Sequence, residues 1–582
     1  MTTLSDERPS DSTPLSGLDF TDPHSPLAPY YLQTSHIVAI VLLTLIFLFF
    51  SLLPPLFHTD FWGHLRYGQW IAAQRALPQR EPFSAFSDLQ QSLVHFQWLT
   101  QLAYYGLFRA GAWLADGDDA NQLAGSAELV RTGHALIVTL RYLLLLIAFR
   151  RITASLPLAC AGVALAVAFG FTHDMIQRPQ AVGELWFAAL LAAISGFNTP
   201  EVAATEKPGF YKKPGFWHRL LTIPAIFLLW ANTHGSFVIG FGLLGLLLVG
   251  RAIETASTDF GWDFGAAARD GRTRQLALAL LLAAIAVCLN PHGPALYLHV
   301  LQTATHANVR QMAEWQPMIA HVGVAGAWPY LLMTTLALGI QGVSKQQPGA
   351  TWVLLVIVFG FAPLVQQRHY VWWVMLAPWL LLPACNQIAK KPGFLEKPGF
   401  WWLPAASIPS FRKTLAAAAV VVLAAVWSSP LQLLLGHRPL PATRTLSRAT
   451  PYFVMPQIAK ALPPGNSLEH FRGRIWTTET LADYWLWSLT DPKPLFVYSH
   501  VHLFPAAHWQ DHVAVLLARP GWSDILDRQR VNLMMLEPAV RPELAEAVRH
   551  HAAWRVVVDE QDSAAKRDPR MRLLVAVRKK PL

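Results

Sequence analysis

The sequence predicts an α-helical polytopic membrane protein followed by an extracytoplasmic α/β domain. Only 14% of the 582 residues are charged and 53% are hydrophobic, whereas a soluble domain is about a quarter charged. Apolar runs of spanning length recur along the chain. From residue 451 they give way to strand-like segments at Pro494–Tyr498, Val531–Leu536, Trp554–Asp559 and Arg572–Val577, with helix-like segments near 478–489, 510–518 and 541–551. These observations indicate a membrane protein with a separate C-terminal domain.

The apolar runs predict about eleven transmembrane helices, at about 20 residues for each crossing of the bilayer. The predicted spans are 37–57, 128–149, 156–172, 180–197, 219–233, 236–253, 274–290, 327–343, 350–366, 370–386 and 413–430. A transmembrane domain over 36–430 follows from this series.

The distribution of Lys and Arg predicts the orientation. Basic residues gather in alternate loops, such as Arg150 and Arg151 after the second span and Arg251 at the end of the sixth. Because basic loops stay in the cytoplasm, we expect a cytoplasmic tail over 1–35 and an extracytoplasmic domain over 431–582. The composition of residues 1–35 predicts that the tail is disordered. The predicted location is the inner, cytoplasmic membrane. The net charge of +10 then reflects charges that face anionic lipid, and no nucleic-acid partner is expected.

The extracytoplasmic loop over 58–127 is predicted to carry two helices that lie in the membrane surface. Apolar residues repeat at helical spacing in 61–75 and again in 97–111. Both segments are too polar to span comfortably, which is typical of amphipathic interfacial helices.

Two predicted cytoplasmic loops contain a Lys-Pro-Gly-Phe repeat, at 207–210 and 213–216 and again at 391–394 and 397–400. A partner-binding role is one interpretation. We favour a low-complexity insertion in each loop, because composition alone explains the pattern.

Polar residues that suit substrate binding collect in the predicted outer loops. They are Asp60, His64, His95, Arg178, Gln180, Asn232, His234, Asn290, His292, Glu314, Arg368 and His369. Polar hairpin turns would explain each residue singly, but the inner loops hold few His, Asn or acidic residues. The contrast favours an outer cavity that binds a polar, anionic group. His500, His502, His508 and His512 are expected to be solvated loop residues, and no metal site is predicted.

Several of these residues stand in motifs that resemble a known group. The motifs are Asp60-Phe61-Trp62-Gly63-His64-Leu65, His95-Phe96-Gln97-Trp98-Leu99, Arg178-Pro179-Gln180, Trp230-Ala231-Asn232-Thr233-His234-Gly235 and Asn290-Pro291-His292-Gly293. They resemble uncharacterised bacterial multi-spanning proteins related to the GT-C glycosyltransferases, which include protein O-mannosyltransferases and aminoarabinose transferases. The resemblance covers most of 37–560 in layout, but only the short motifs match closely.

The resemblance implies a GT-C-like fold that transfers a sugar from a polyprenyl-phosphate donor at the outer membrane face. Asp60 matches the catalytic acid after the first span and would be the base, while the eleven other residues would bind substrate. Membrane lipids and the lipid-linked sugar are the expected partners, and the oligomeric state is not predicted. No cofactor is expected. Phe61 replaces a second acid that many GT-C enzymes carry, which leaves a divalent metal requirement open.

Two other functions stay open at the sequence level. A transporter for a polar lipid would favour charges near the bilayer midplane and broken helices. A non-catalytic membrane scaffold would tolerate replacement of Asp60 and of the outer arginines.

Overall fold

A computed structural model describes the ranges 28–52, 60–87, 93–196, 216–258, 261–344, 347–389, 408–440, 473–489, 495–560 and 572–580, with residues 446 and 458. Most of the predicted tail and, apart from Phe216, the four Lys-Pro-Gly-Phe repeats lie outside the described residues.

The described chain is mostly helical up to residue 434. Its α-helices are α1 Thr34–Leu52, α2 Asp60–Gln74, α3 Trp98–Ala115, α4 Asp119–Thr153, α5 Leu156–Asp174, α6 Gln180–Ser195, α7 Phe216–Thr233, α8 Phe237–Ala256, α9 Phe264–Arg269, α10 Gly271–Val287, α11 Ala295–Thr305, α12 Ala307–Arg310, α13 Met318–Gly326, α14 Trp328–Val343, α15 Ala350–Leu355, α16 Phe361–Val365, α17 Tyr370–Ala389, α18 Phe411–Val426 and α19 Ser429–Leu434. Short 3₁₀ turns cover Ala28–Tyr30, Ala313–Trp315 and Gln367–His369, and a π-helical turn, Val356–Gly360, joins α15 to α16.

Every one of the eleven predicted spans coincides with a helix or a joined pair of helices. In the described ranges, five helices are long and apolar enough to cross a membrane, and α13 and α14 make a sixth span if the pair, bent by 85°, crosses once. Shorter apolar helices cover Gln180–Ser195, Leu221–Thr233 and Ala350–Val365. The remaining two predicted spans are α10 and α18, with 17 and 16 residues. The predicted polytopic helical fold is confirmed.

Capping explains where the long helix α4 begins and ends. The Asp118 carboxylate accepts a hydrogen bond from the Asn121 N–H at the start of the helix. Ala154 ends it in a left-handed conformation and donates its N–H to the Arg150 carbonyl. At 35 residues, α4 is about 52 Å long, which exceeds the thickness of a bilayer core.

The helices α2 and α3 occupy the segments predicted for surface helices and cross at close range. A Cβ atom at Gly68 would stand 2.2 Å from the Gln101 carbonyl oxygen. Glycine is therefore required at this crossing. The contact fixes α2, with Asp60 at its first residue, against α3.

The C-terminal part is a mixed four-stranded sheet with helices around it. The strands are Arg474–Thr477, Val531–Leu536, Trp554–Asp559 and Leu574–Arg578, and they lie in the order first, second, fourth, third. The first two strands are parallel and the other pairs are antiparallel. The helices are Glu479–Ser488, Ala506–Leu516, Trp522–Arg528 and Pro542–His550, with a 3₁₀ turn at Val501–Leu503.

This sheet domain packs directly on α2 and on the segment around α12. Trp62 of α2 is fully buried, with its ring 5.1 Å from Tyr484 and 6.1 Å from Trp487. The Asn308 amide of α12 donates hydrogen bonds to the carbonyls of Val501 and Phe504, at 3.0 and 2.9 Å. The domain therefore covers the end of the helical bundle that carries Asp60.

Candidate active site

Three of the predicted site residues, from separate turns, form an ion-pair group. Arg178 lies between α5 and α6, Glu314 in the turn Ala313–Trp315, and Arg368 in the turn Gln367–His369. The Arg178 guanidinium donates to one Glu314 oxygen at 2.8 Å, and a nitrogen of Arg368 lies 3.7 Å from the other. Arg368 also stacks over the Trp315 ring, 4.0 Å from its centroid. Glu314 thus holds two arginines at one place.

The electrostatics of this group favour the fully charged state. Burial alone would raise the pKa of the Glu314 carboxyl, but Arg178 and Arg368 outweigh it and lower the pKa to about 2. Glu314 in turn raises the pKa of Arg178 against the effect of burial. Burial lowers the pKa of Arg368, whose contact with Glu314 is the longer one. With two cations and one anion, the group carries a net positive charge.

Asp60 belongs to the same site. Burial and the negative charge of Asp60 raise the pKa of Tyr104, and Asp60 also contributes to the raised pKa of Arg178. The Tyr104 hydroxyl donates to the Arg178 carbonyl at 3.2 Å. We call Asp60, Tyr104, Arg178, Glu314 and Arg368 the Asp60 cluster.

His234 borders the Asp60 cluster as a neutral imidazole. Its Nδ1 is 2.7 Å from the Ser236 hydroxyl and accepts the Ser236 N–H at 3.1 Å. Burial, reinforced by Arg368, lowers the pKa of His234 to about 3. A neutral ring here can donate or accept a hydrogen bond without adding charge to the site.

A histidine group lies one helical turn further along α2 from Asp60. It contains His64, His95, His292 and His500, of which the last comes from the sheet domain. The His95 N–H donates to the His292 Nε2 at 3.2 Å, and the His64 and His500 rings are 5.3 Å apart. Burial and the neighbouring His292 lower the pKa of His95 to about 3. Burial also lowers the pKa of His500 far below its usual range, and Asp60 opposes that shift.

Three predicted site residues make contacts that shape the fold around the site, and a fourth is buried in a helix. The Asn232 side chain accepts from the Trp98 indole N–H at 3.0 Å and so ties α7 to α3. Asn290 bonds within its own turn, to the Gly293 carbonyl and the His292 N–H. His369 pairs with Gln366 at 3.1 Å, and Gln180 is buried in the first turn of α6.

The structure adds a buried charge network that sequence reasoning missed. Arg141 of α4 pairs with Glu184 of α6 and, at 2.5 Å, with Asp174 of α5. His173 contacts the second Glu184 oxygen at 2.7 Å, and Tyr142 donates to Asp174. The signal was present, since Arg141 and Glu184 are opposite charges inside predicted spans, where charges need partners.

Asp483 is a second carboxylate beside α2 that the sequence did not reveal. It is fully buried in the helix Glu479–Ser488, and its Oδ1 accepts the Ser499 N–H at 3.3 Å. A Cβ at Gly63 would lie 2.9 Å from that oxygen. Asp483 therefore faces α2 one turn beyond Asp60.

The expectation that the outer-domain histidines are solvated is wrong, because two of them are buried and the other two, His500 and His502, are half-buried. His508 is buried and contacts the Phe496 carbonyl at 2.7 Å, and the fully buried His512 lies 3.3 Å from Glu479. Both face the inside of their amphipathic helix, which the sequence pattern alone did not separate from the outside. In the described ranges, no three His, Cys, Asp or Glu side chains are arranged to hold a metal ion. Phe61 is fully buried and packs on Tyr104.

Comparison of the sequence with known families and with curated proteins finds no match. Solved structures do match. The oligosaccharyltransferase of Archaeoglobus fulgidus, tethered with an acceptor peptide containing the NVT sequon, aligns over 86% of this chain and 68% of its own, with 12% identity and a TM-score of 0.50. ArnT from Cupriavidus metallidurans bound to undecaprenyl phosphate aligns over 93% of this chain and 98% of its own, with 16% identity and a TM-score of 0.48. At these identities the likeness concerns the fold alone: the chain has a membrane fold like that of the archaeal oligosaccharyltransferase, in agreement with the GT-C-like fold that the resemblance of its motifs implies.

Proposed function

We propose that the chain is a glycosyltransferase that moves a sugar from a polyprenyl-phosphate donor to an acceptor, with Asp60 as the base. The observation that carries the proposal is the Asp60 cluster, which joins a carboxylate to two arginines at one end of a membrane-embedded bundle. A lipid phosphate needs cations at the membrane boundary, and an acceptor hydroxyl needs a nearby carboxylate.

The reaction is a single displacement. Asp60 takes the proton of the acceptor hydroxyl while its oxygen forms a bond to the anomeric carbon of the sugar. The bond between that carbon and the phosphate oxygen breaks, and the electron pair leaves with the polyprenyl phosphate. Arg178 and Arg368 stabilise the negative charge that develops on the leaving oxygen. The displacement inverts the anomeric centre.

Glu314 sets the positions of the two arginines before the donor arrives. Its carboxylate holds Arg178 at 2.8 Å and Arg368 at 3.7 Å, so the looser contact is the one that a phosphate displaces more easily. A bound phosphate would then bridge Arg368 and Arg178 with Glu314 still attached to the latter. This arrangement avoids two unopposed cations in the empty site.

The proposed location is the inner membrane, with the N-terminus in the cytoplasm and the sheet domain outside. The charge bias of the alternate loops supports this orientation. The Asp60 cluster and the sheet domain lie at the same end of the bundle, so both face the outer leaflet in this orientation.

The test is sugar transfer by the purified full-length protein in liposomes that contain radiolabelled polyprenyl-phosphate sugars. Asp60→Asn is expected to slow transfer about 100-fold or more, because it removes the base while keeping the size of the side chain. Asp263→Asn is the matched control, since Asp263 is an exposed acid outside the site that caps α9, and Asn can keep this cap. Full transfer by Asp60→Asn would refute the base assignment.

A polar-lipid transporter is the second candidate, and the network of Arg141, Asp174 and Glu184 within the spans favours it. Measuring the movement of a fluorescent lipid phosphate between leaflets distinguishes the transporter from the glycosyltransferase. A transporter moves the probe without transferring sugar, and Asp60→Asn leaves its rate unchanged.

A further inference from the structure

A cavity of about 200 Å³ lies between α6, α8, α10, α15 and α17. It stands at the opposite end of the bundle from the Asp60 cluster, because α8 begins beside His234 and reaches the cavity at Arg251. The helical rise separates these two ends by about 21 Å, from Phe237 to Arg251. The volume exceeds the space of one water, about 30 Å³, several-fold.

The cavity has apolar walls and a polar rim. Leu247, Leu276 and Trp379 form part of the walls. The Trp379 indole N–H donates to the Ser195 hydroxyl at 2.8 Å, so the polar atom of that ring is already bonded to the protein. Arg272 and Gln275 stand on the rim, and Arg272 lies one helical turn before Leu276.

The acidic groups near the rim are engaged by the protein. Glu254 accepts the Thr351 N–H at 2.9 Å. Asp270 binds Arg251 through two hydrogen bonds, at 3.1 and 2.9 Å, and also caps α10 at Thr273. Arg272, by contrast, is exposed and makes no hydrogen bond or ion pair with any residue that the structure describes. The rim therefore offers the cation of Arg272 and the amide of Gln275 to an anion, beside the carboxylate of Glu254.

We propose that this cavity binds the phosphate head of an anionic membrane lipid, with Arg272 and Gln275 as ligands of the phosphate and the apolar walls around the first carbons of the tail. Basic pockets between transmembrane helices recognise lipid headgroups by this chemistry. A free phosphate would share the rim but gain nothing from Leu247, Leu276 and Trp379, which is why the walls favour a lipid. The site does not depend on the proposed glycosyl transfer.

Lipid binding is measured on the full-length protein in detergent, from the rise in Tm on titration with phosphatidylglycerol, phosphatidylcholine or inorganic phosphate. We expect phosphatidylglycerol alone to raise Tm. Arg272→Gln is expected to raise the half-saturating lipid concentration about tenfold, because one charge-assisted contact with the phosphate is lost. Arg274→Gln is the matched control on the same helix, because Arg274 is exposed and bonds to the Arg269 carbonyl.

A second variant tests the walls without touching a charge. Leu276→Phe partly fills the cavity and is expected to weaken phosphatidylglycerol binding to a similar extent. An equal response to phosphatidylcholine, or equal weakening by Arg272→Gln and Arg274→Gln, would overturn the site. Saturation by inorganic phosphate at the same concentration would show a free-anion site instead, and unchanged binding by Leu276→Phe would exclude the tail.

Discussion

The Asp60 cluster shows how single side chains set the charge of the site. Glu314 lies between two arginines, so the cluster keeps one uncompensated positive charge before Asp60 is counted. Asp60 brings the sum to zero. In the proposed reaction, a donor phosphate would enter a site whose cations are already in place, and it would replace an interaction with Glu314 instead of ordering two flexible side chains.

Replacing Glu314 tests this balance. Glu314→Gln is expected to lower the stability by about 2 kcal/mol, less than for a fully buried pair because a third of the Glu314 side chain is exposed. The measurement is Tm in detergent, compared with Glu543→Gln at the exposed start of the helix Pro542–His550. Equal Tm values for both variants would show that Glu314 does not hold the arginines.

The low pKa of Glu314 also fixes the pH window of this stabilisation. The folded pKa, about 2, lies below the ordinary value of 4.5. The contribution is therefore complete above pH 4.5 and is lost as the pH falls towards 2.

The buried histidines change the stability of the protein at a higher pH than Glu314 does. The pKa of His95 and that of His234 fall from 6.5 to about 3 in the folded protein. Between these values the unfolded chain binds protons that the folded chain does not, so stability falls as the pH drops below 6.5. We expect His95→Gln to flatten the decline of Tm from pH 7 to pH 5, whereas His437→Gln, at an exposed residue, keeps it. A wild-type slope in His95→Gln would contradict the burial of a neutral His95.

At the scale of elements, the crossing of α2 and α3 positions Asp60. A Cβ at Gly68 meets backbone atoms of Gln101, whereas a Cβ at Gly106 meets nothing within 4 Å. Gly68→Ala is expected to destabilise by about 1–3 kcal/mol, because overpacking against backbone outweighs the better helix propensity of Ala. Gly106→Ala is expected to stabilise by about 0.5–1 kcal/mol. The measurement is Tm for the pair, and loss of stability in both variants would contradict the geometry.

Elements with a strong local pattern were predictable from the sequence. The strands Val531–Leu536 and Trp554–Asp559 have the predicted bounds, because runs of apolar and β-branched residues are distinctive. The strand Arg474–Thr477 was missed, since four residues carry little periodicity and its place depends on its parallel partner at Val531. The predicted strand at Pro494–Tyr498 reduces to a single bridge from Leu495 to Ile475 within the described residues.

Site residues were predictable from the sequence where a charged residue lies in a turn next to a predicted span. Arg178, Glu314 and Arg368 are such residues, and the structure brings them together. Asp483 could not be predicted as a site residue, because it lies beside α2 only through the packing of the sheet domain against Gly63. Long-range contacts of this kind leave no local pattern in a sequence.

At the scale of the whole molecule, the sheet domain forms one side of the site. It shares a hydrophobic core with Tyr67, Phe83 and Leu93 of the segment after α1. Its His500 reaches the histidine group beside α2. The domain and the bundle end therefore form one unit.

The most direct test of the account is sugar transfer in sealed membrane vesicles of known orientation. With donor lipid in the outer leaflet of right-side-out vesicles, the wild-type protein is expected to transfer sugar without permeabilisation. Asp60→Asn in the same vesicles is expected to lose this activity. Transfer that occurs only in inside-out vesicles, or that survives in Asp60→Asn, would contradict the placement of a catalytic Asp60 cluster at the outer face.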